Sequence, residues 1–212
     1  FNLMSGDLDL ASLLADDPGA APAQSPPPPP AAPQPRPLPV QFMLDQGADD
    51  EGNAQCLHQL FGKEFCYTEA YGYLWWTGTH WIAAGAEAAL ARAAVYTLKQ
   101  RRVLAARADR ENIVRCSQPS AKRIRDCLYI FRNMVTVPIE EFDRSPDELN
   151  CANGVLNLAT GQLQPHDPGQ RFTYCLPVEY DAGADQTMWR QFLADVVGGG
   201  PEVVDYLQMA VG

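Results

Sequence analysis

The stretch 150–166 allows the chain few folds. It reads Asn-Cys-Ala-Asn-Gly-Val-Leu-Asn-Leu-Ala-Thr-Gly-Gln-Leu-Gln-Pro-His, with two turn signals bracketing short apolar–polar alternations. Asn153-Gly154 suits a residue pair at positive φ, and Ala159-Thr160-Gly161 suits a short loop that closes a hairpin. Val155 and Leu156-Asn157-Leu158 lead in. Gln162-Leu163-Gln164 leads out, before Pro165, which has no N–H for a ladder, stops the strand. These residues predict a β-hairpin with an ordered turn ahead of it. They hold no nucleophile–base pair and no ligand cluster, so the stretch reads as scaffolding.

The 212 residues give room for one domain of ordinary size and a tail, and 46% hydrophobic residues suffice for a core. The net charge of −10 argues against a general nucleic-acid coat protein. No apolar run approaches the roughly 20 residues that span a bilayer, and no charged and then apolar leader opens the chain. The six cysteines, Cys56, Cys66, Cys116, Cys127, Cys151 and Cys175, form no Cys-x-x-Cys pair. His58, His80 and His166 complete no zinc pattern with them. Reduced thiols, several of them in the core of a cytoplasmic protein, are expected. Phe1 and Gly212 read as cut from a longer chain.

Three parts are expected along the chain. Residues 1–17 carry Leu8, Leu10, Leu13 and Leu14 behind Ser5 and Asp7. They read as the end of an upstream domain, a short docking segment or a disordered tail. Residues 18–45, with Pro26 to Pro30, read as a disordered Pro/Ala-rich linker acting as a polyproline II spacer, or as a segment for a partner that reads such runs. Residues 46–212 read as the folded domain.

Within that domain, Gly52-Asn53-Ala54 opens a helix through Leu57, Leu60 and Phe61 that ends at Gly62. Phe65-Cys66-Tyr67 follows, and then two aromatic strands around Thr77-Gly78-Thr79 form a second hairpin. Its Trp residues could stack bases; three close indoles also bring large apolar area to bury in a core. Residues 86–107 repeat Leu90, Ala94, Leu98 and Val103-Leu104 at helical intervals, and a second helix is expected over 120–134 behind Ser117 or Ser120.

Charge concentrates on these two helices. Positions 92–132 hold eleven basic residues against three acidic ones, a local +8 in a chain of −10. Arg101, Arg102, Lys122, Arg123 and Arg125 are the candidate DNA contacts. The competing reading is two solvated helix faces neutralised by acids that follow, such as Glu140, Glu141 and Asp143. Those acids could suggest acid/base or Mg²⁺ chemistry, but a Ser145-Pro146 surface turn also accounts for them. Further on, 171–176 and 178–181 read as a strand and an exit turn. A helix capped by Asp185 then runs through Met188-Trp189, Phe192-Leu193 and Val196-Val197. Gly198-Gly199-Gly200 stops it, and Pro201 starts another.

No catalytic residue and no metal site is expected. The Gly-x-x-x-x-Gly-Lys-[Ser/Thr] phosphate loop is absent, Gly198-Gly199-Gly200 lacks its Lys and hydroxyl, and Asp7-x-Asp9 sits ahead of the linker. The fold class expected is α+β: a small mixed domain with two β-hairpins packed by helices, preceded by the Pro-rich linker.

Several motifs share an order. They are Gly52-Asn53-Ala54; Trp76-x-Gly78-x-x-Trp81; Phe142-Asp143-x-x-Pro146-x-x-Leu149-Asn150; and Asn153-Gly154-x-Leu156-x-Leu158-x-Thr160-Gly161-x-Leu163-x-x-His166. In wording and order they resemble the pre-helicase domain of phage and plasmid primase-helicases of the P-four type, related to the poxvirus D-five primase-helicase. The resemblance covers 46–212. It makes Trp76, Gly78, Trp81, Asn153, Gly154, Thr160 and Gly161 structural motif positions. It implies a parent enzyme, an ATP-dependent helicase of superfamily three, for which ATP and Mg²⁺ would serve a helicase domain outside this chain; none is implied here. It further implies single-stranded or fork DNA as partner, a homo-oligomer formed through the helicase domain, and DNA replication in a mobile element. A stand-alone single-stranded DNA-binding module and a structural oligomerisation domain are the alternatives.

Overall fold

A carbonyl laid against a helix sets the start of the fold. Asp49, in extended conformation, caps α2 (Asp50–Phe61) by accepting from the Gly52 backbone N–H at 2.8 Å. A Cβ at Gly52 would stand 2.1 Å from the Gly47 carbonyl oxygen, so only glycine lets the preceding loop lie there. The computed structural model describes residues 40–197 together with Val203 and Tyr206. The expectations for 1–17, for most of the linker and for Gly198 to Pro201 lie outside the described residues.

One boundary moves. Val40–Asp45, inside the span read as linker, forms α1 and buries Met43. After α2 come β1 (Phe65–Thr68), β2 (Gly72–Trp76) and β3 (Trp81–Ile82), a three-stranded antiparallel sheet pairing Phe65 with Trp75 and Trp76 with Trp81. Alternate residues of these strands face opposite ways. Phe65 and Trp75 join the helical core, while Cys66, Leu74 and Trp81 meet Phe142 on the other face.

The long helix α3 (Ala86–Arg107) has the expected span. Its small buried residues, Ala86, Ala89, Ala93 and Ala94, let α2 approach closely, with Leu90 and Leu98 filling the space between. The buried line continues through Arg101 and Ala105, not through Val103, which is exposed. The six-residue α4 (Glu111–Cys116) was not legible, being too short for a period. Ser120 then caps α5 (Ala121–Val135) by accepting from the Arg123 N–H at 3.2 Å. Cys127, Phe131 and Val135 of α5 are buried, completing a three-helix core with α2 and α3.

The second sheet is β4 (Glu148–Cys151), β5 (Gly154–Asn157) and β6 (Gln162–Gln164), again antiparallel. The expected hairpin is its β5–β6 half. Asn150 and Cys151 are strand, not turn, and Ala152-Asn153 joins β4 to β5 with Cys151 opposite Gly154. The expected pair at positive φ reduces to Gly154 alone, at 150°, where a Cβ would meet the Gln164 carbonyl oxygen at 2.5 Å. Asn153 has another use: its Nδ2 donates to the Tyr180 carbonyl and its Oδ1 accepts the Tyr180 N–H, each at 2.9 Å.

Residues 171–176 form no ladder strand. Arg171 sits at φ 56°, which breaks extension, and the segment makes only an isolated bridge from Leu176 to Cys151. The last described helix is α6 (Thr187–Val197), where the Asp185 carboxylate accepts from the Thr187 N–H at 2.9 Å. All six cysteines are free and five are buried. Among the described residues no helix is long and apolar enough to cross a membrane. The class is mixed α+β, with two three-stranded sheets and helices.

Candidate nucleic-acid surface

The buried face of α5 leaves a line of residues opposite to it. Lys122, Arg125, Tyr129, Arg132 and Thr136 follow one another at intervals of three and four, so they share one stripe. All are exposed except Arg132, which is half-buried. Arg132 holds the stripe to the first sheet. Its guanidinium carbon lies 5.3 Å from the centre of the Tyr129 ring and 5.2 Å from that of Tyr67. Tyr67 meets Tyr73 edge to face at 5.1 Å, and the Tyr73 hydroxyl donates to the Leu128 carbonyl at 2.9 Å. Burial, more than the opposing pull of Arg132, pushes the Tyr73 hydroxyl up to about 12, so it stays a donor.

Tyr129 is 65% exposed although its ring is ordered against a cation. A flat aromatic face in water, flanked by cations, can stack a base while the cations hold its phosphates. Charge on the stripe is partly offset. Asp126 hydrogen-bonds Lys122 and lies 3.9 Å from Arg125 Nε. The Lys122 bond, followed by the charges of Arg125 and Arg123, holds the Asp126 carboxyl below its ordinary range.

The candidate DNA contacts separate on this geometry. Lys122 and Arg125 lie on the stripe. Arg102 is exposed on α3 and has no ion pair among the described residues. Arg123 turns toward α2, 3.6 Å from Asp50, and also donates to the Arg115 carbonyl. Arg101 is not a surface residue at all, which corrects the sequence expectation: it is fully buried. Its guanidinium donates to the carbonyls of Met43, Gln46 and Gly47 and to Asn53 Oδ1, at 2.7 to 3.0 Å. Four of its five N–H donors are engaged and the group is fully buried, so a phosphate could reach it only by taking apart the start of the fold.

Two of the acids expected to neutralise this surface pair elsewhere. Glu141 pairs with Arg171 at 3.1 Å, and Asp143 accepts from Thr173. Among the described residues, Arg92, Lys99, Arg107, Arg110 and Arg115 have no ion pair, like Arg102.

The motif positions shape turns. Gly78 has φ 105° between β2 and β3, and the Trp76 and Trp81 rings lie 5.7 Å apart. The Trp81 indole N–H donates to the Pro168 carbonyl at 3.0 Å. Thr160 donates through its N–H and its hydroxyl to Asn157 Oδ1, and Gly161 takes φ 68°. Sequence reasoning missed Asn150, which is fully buried. Its amide donates to the carbonyls of Thr79 and Tyr174 at 2.9 and 2.7 Å, while its Oδ1 lies 3.0 Å from His166 Nδ1. It also missed Tyr67, Tyr129 and Arg132; the three–four spacing from Lys122 to Arg132 was the available signal. Among the described residues, no three His, Cys, Asp or Glu side chains are placed to hold a metal ion.

The described residues form a mixed domain, a three-helix core with two three-stranded antiparallel sheets and a basic and aromatic helix face. The family model described as D5 N terminal like matches residues 54–198, and the chain belongs to that family. Domains of this family are associated with primase-helicase proteins of replication, which points to DNA at a general level. No curated protein matches the chain closely enough to count as a relative.

Proposed function

We propose that this chain is the non-catalytic region preceding a superfamily-three ATP-dependent helicase in a phage- or plasmid-type primase-helicase, and that it guides single-stranded DNA along α5. The observation that carries the reading is the Tyr129–Arg132–Tyr67 arrangement, flanked by Lys122 and Arg125, in a domain of the D5 N terminal like family. Arg102 adds a contact from α3, and Lys122 and Arg125 remain from the sequence-based set; Arg101 drops out. ATP and Mg²⁺ belong to the helicase domain, which would also form the ring. The setting is DNA replication of a mobile element in the cytoplasm.

Two measurements test this. The reading frame downstream should encode a Gly-x-x-x-x-Gly-Lys-[Ser/Thr] loop within a few tens of codons, and a frame without one sinks the assignment. Fluorescence anisotropy of the full chain with a single-stranded oligonucleotide should show salt-dependent binding that weakens when Arg125, Tyr129 and Arg132 are replaced by Ala. Equal binding by the triple variant removes the surface.

A second reading, oligomerisation, is favoured by the apolar side chains that α6 exposes, Met188, Trp189, Phe192 and Val196. Sedimentation of the chain with and without Trp189→Glu separates the two.

A further inference from the structure

The stripe on α5 leads into a cleft. Thr136, one turn beyond Arg132 on the same line, lies on the rim of a cavity of about 520 Å³. Phe65, Cys66, Trp81 and Val137 give it an apolar floor, and Asp167, Gly169 and Arg171 form the far wall.

Three of its lining residues are charged. Lys63 has no ion pair among the described residues. Arg171 is held through Nε by Glu141 at 3.1 Å and lies 5.8 Å over the Phe142 ring, which leaves its terminal nitrogens as donors. Asp167 accepts from the Gly169 N–H with Oδ1, and its Oδ2 has no hydrogen bond among the described residues. The wall is braced by two side-chain-bearing residues in left-handed conformation, Asp143 at φ 50° and Arg171 at φ 56°, with the Asp143 N–H donating to the Arg171 carbonyl. Such conformations persist where the surroundings fix them, and they gather at binding sites.

The polarity of the cleft selects its occupant. Both α2, at Gly62, and α5, at Val135 and Thr136, end against it, so the interior meets the negative ends of two helix dipoles. A buried phosphate is disfavoured there. A flat apolar group carrying N–H donors is favoured, with its anionic part outside at Lys63. A nucleobase with an exocyclic amine, still attached to its phosphate, has that distribution.

We propose that the cleft receives one amino-bearing base of the strand that lies along α5, the base on the apolar floor, its amine toward Asp167 and its phosphate on Lys63. The inference rests on the DNA reading above and fixes where that strand turns inward.

The test uses the full chain and a thymidine oligonucleotide of about 15 residues in which one 2-aminopurine, a fluorescent amino-bearing base, is moved through every position. One position should bind about threefold or more tightly than plain thymidine and change its emission on binding. Gly169→Leu, which puts a bulky side chain on the wall beside Asp167, should erase that positional effect while affinity for the plain oligonucleotide stays within about twofold. Lys63→Ala should weaken the positional effect. If the oligonucleotide binds but every position behaves alike, or if Gly169→Leu leaves the effect intact, the cleft assignment is overturned and the α5 surface stands. If no oligonucleotide binds at low salt, both fall together.

Discussion

Arg101 Nη1 donates to Asn53 Oδ1 at 2.8 Å, and both side chains are fully buried. Asn53 in turn donates to the Cys116 carbonyl at 2.9 Å and accepts from the Ser117 hydroxyl at 3.3 Å. This pair joins four pieces: the loop behind α1, α2, α3 and the end of α4. A single cation satisfies the Met43 carbonyl of α1 and the Gln46 and Gly47 carbonyls of the loop behind it.

Arg101→Ala leaves those carbonyls without their donor and Asn53 Oδ1 with the Ser117 hydroxyl alone, and each hydrogen bond to a charged group contributes about 1.5–3 kcal/mol. A loss of at least about 3 kcal/mol in chemical denaturation is expected. Arg101→Lys should recover only part of it, because an ammonium cannot reproduce the planar fork. By contrast, Arg102→Ala should leave stability within about 0.5 kcal/mol and weaken DNA binding. An equal loss from the two substitutions would contradict this division of roles.

Much of this was legible in the sequence, and the misses have physical reasons. The Ala and Leu period fixed the span of α3, and Asn-Gly and Thr-Gly placed the β5–β6 hairpin. Arg101 was misread because an arginine is almost always at the surface, and a buried one is recognised only when its acceptors are known. Those acceptors come from positions 43–53, about 50 residues away. The part of Tyr67 in the Tyr67–Arg132–Tyr129 arrangement was illegible for the same reason, since that ring comes from a strand and the cation from a helix. β4 was missed because Glu148-Leu149-Asn150-Cys151 lacks a branched or aromatic run, and its pairing with β5 supplies what propensity does not.

Asn150 should be the sensitive position of the second sheet. Its amide binds the Thr79 and Tyr174 carbonyls, linking the β2–β3 turn to the segment after β6. Asn150→Ala removes the donor from two part-buried bonds, and about 1–3 kcal/mol of stability should be lost. Asn150→Asp should be no better, because a carboxylate cannot donate to either carbonyl. Recovery of stability by Asp would show that the amide donors are not what matters.

Thiol chemistry offers a probe of the core. Burial pushes Cys56 up to about 11 and Cys66 and Cys127 up to about 12, so their thiolates are scarce at neutral pH. Cys175 is only half-buried, although burial raises it too. Mass-resolved alkylation of the native chain should therefore modify Cys175 first, and the other three only as the chain opens. Early labelling of Cys127 would mean that α5 separates from α2 at little cost.

Stability should respond to pH through His80. Burial first, and the neighbouring His166 second, hold its imidazole below the ordinary 6.5. The unfolded chain then takes up the proton first as pH falls. The His80 contribution is complete above about 6.5 and is lost as pH drops from there toward the lower folded value. Denaturation midpoints of the wild type should fall more steeply below pH 6.5 than those of His80→Gln. Parallel curves would show that His80 meets no different environment in the folded chain.

The last prediction concerns α6. Met188, Phe192 and Val196 recur every four residues, with Trp189 stacked on Phe192 at 5.6 Å, and Met188 is 85% exposed. Of the described α6 side chains none is buried, and only Leu193 is half-buried. A large-to-small change in a core costs about 3–5 kcal/mol for an aromatic because it removes packed neighbours and leaves a cavity. Trp189 is 57% exposed and its ring contact among the described residues is Phe192 on the same helix, so Trp189→Ala should shift the unfolding free energy by less than about 0.5 kcal/mol. The same substitution should lower any concentration-dependent association, since stacked aromatics in water are what a second surface would cover. Calorimetry and sedimentation on the same samples check the two halves. A large destabilisation with unchanged association would place α6 in the core of the domain instead of on its outside.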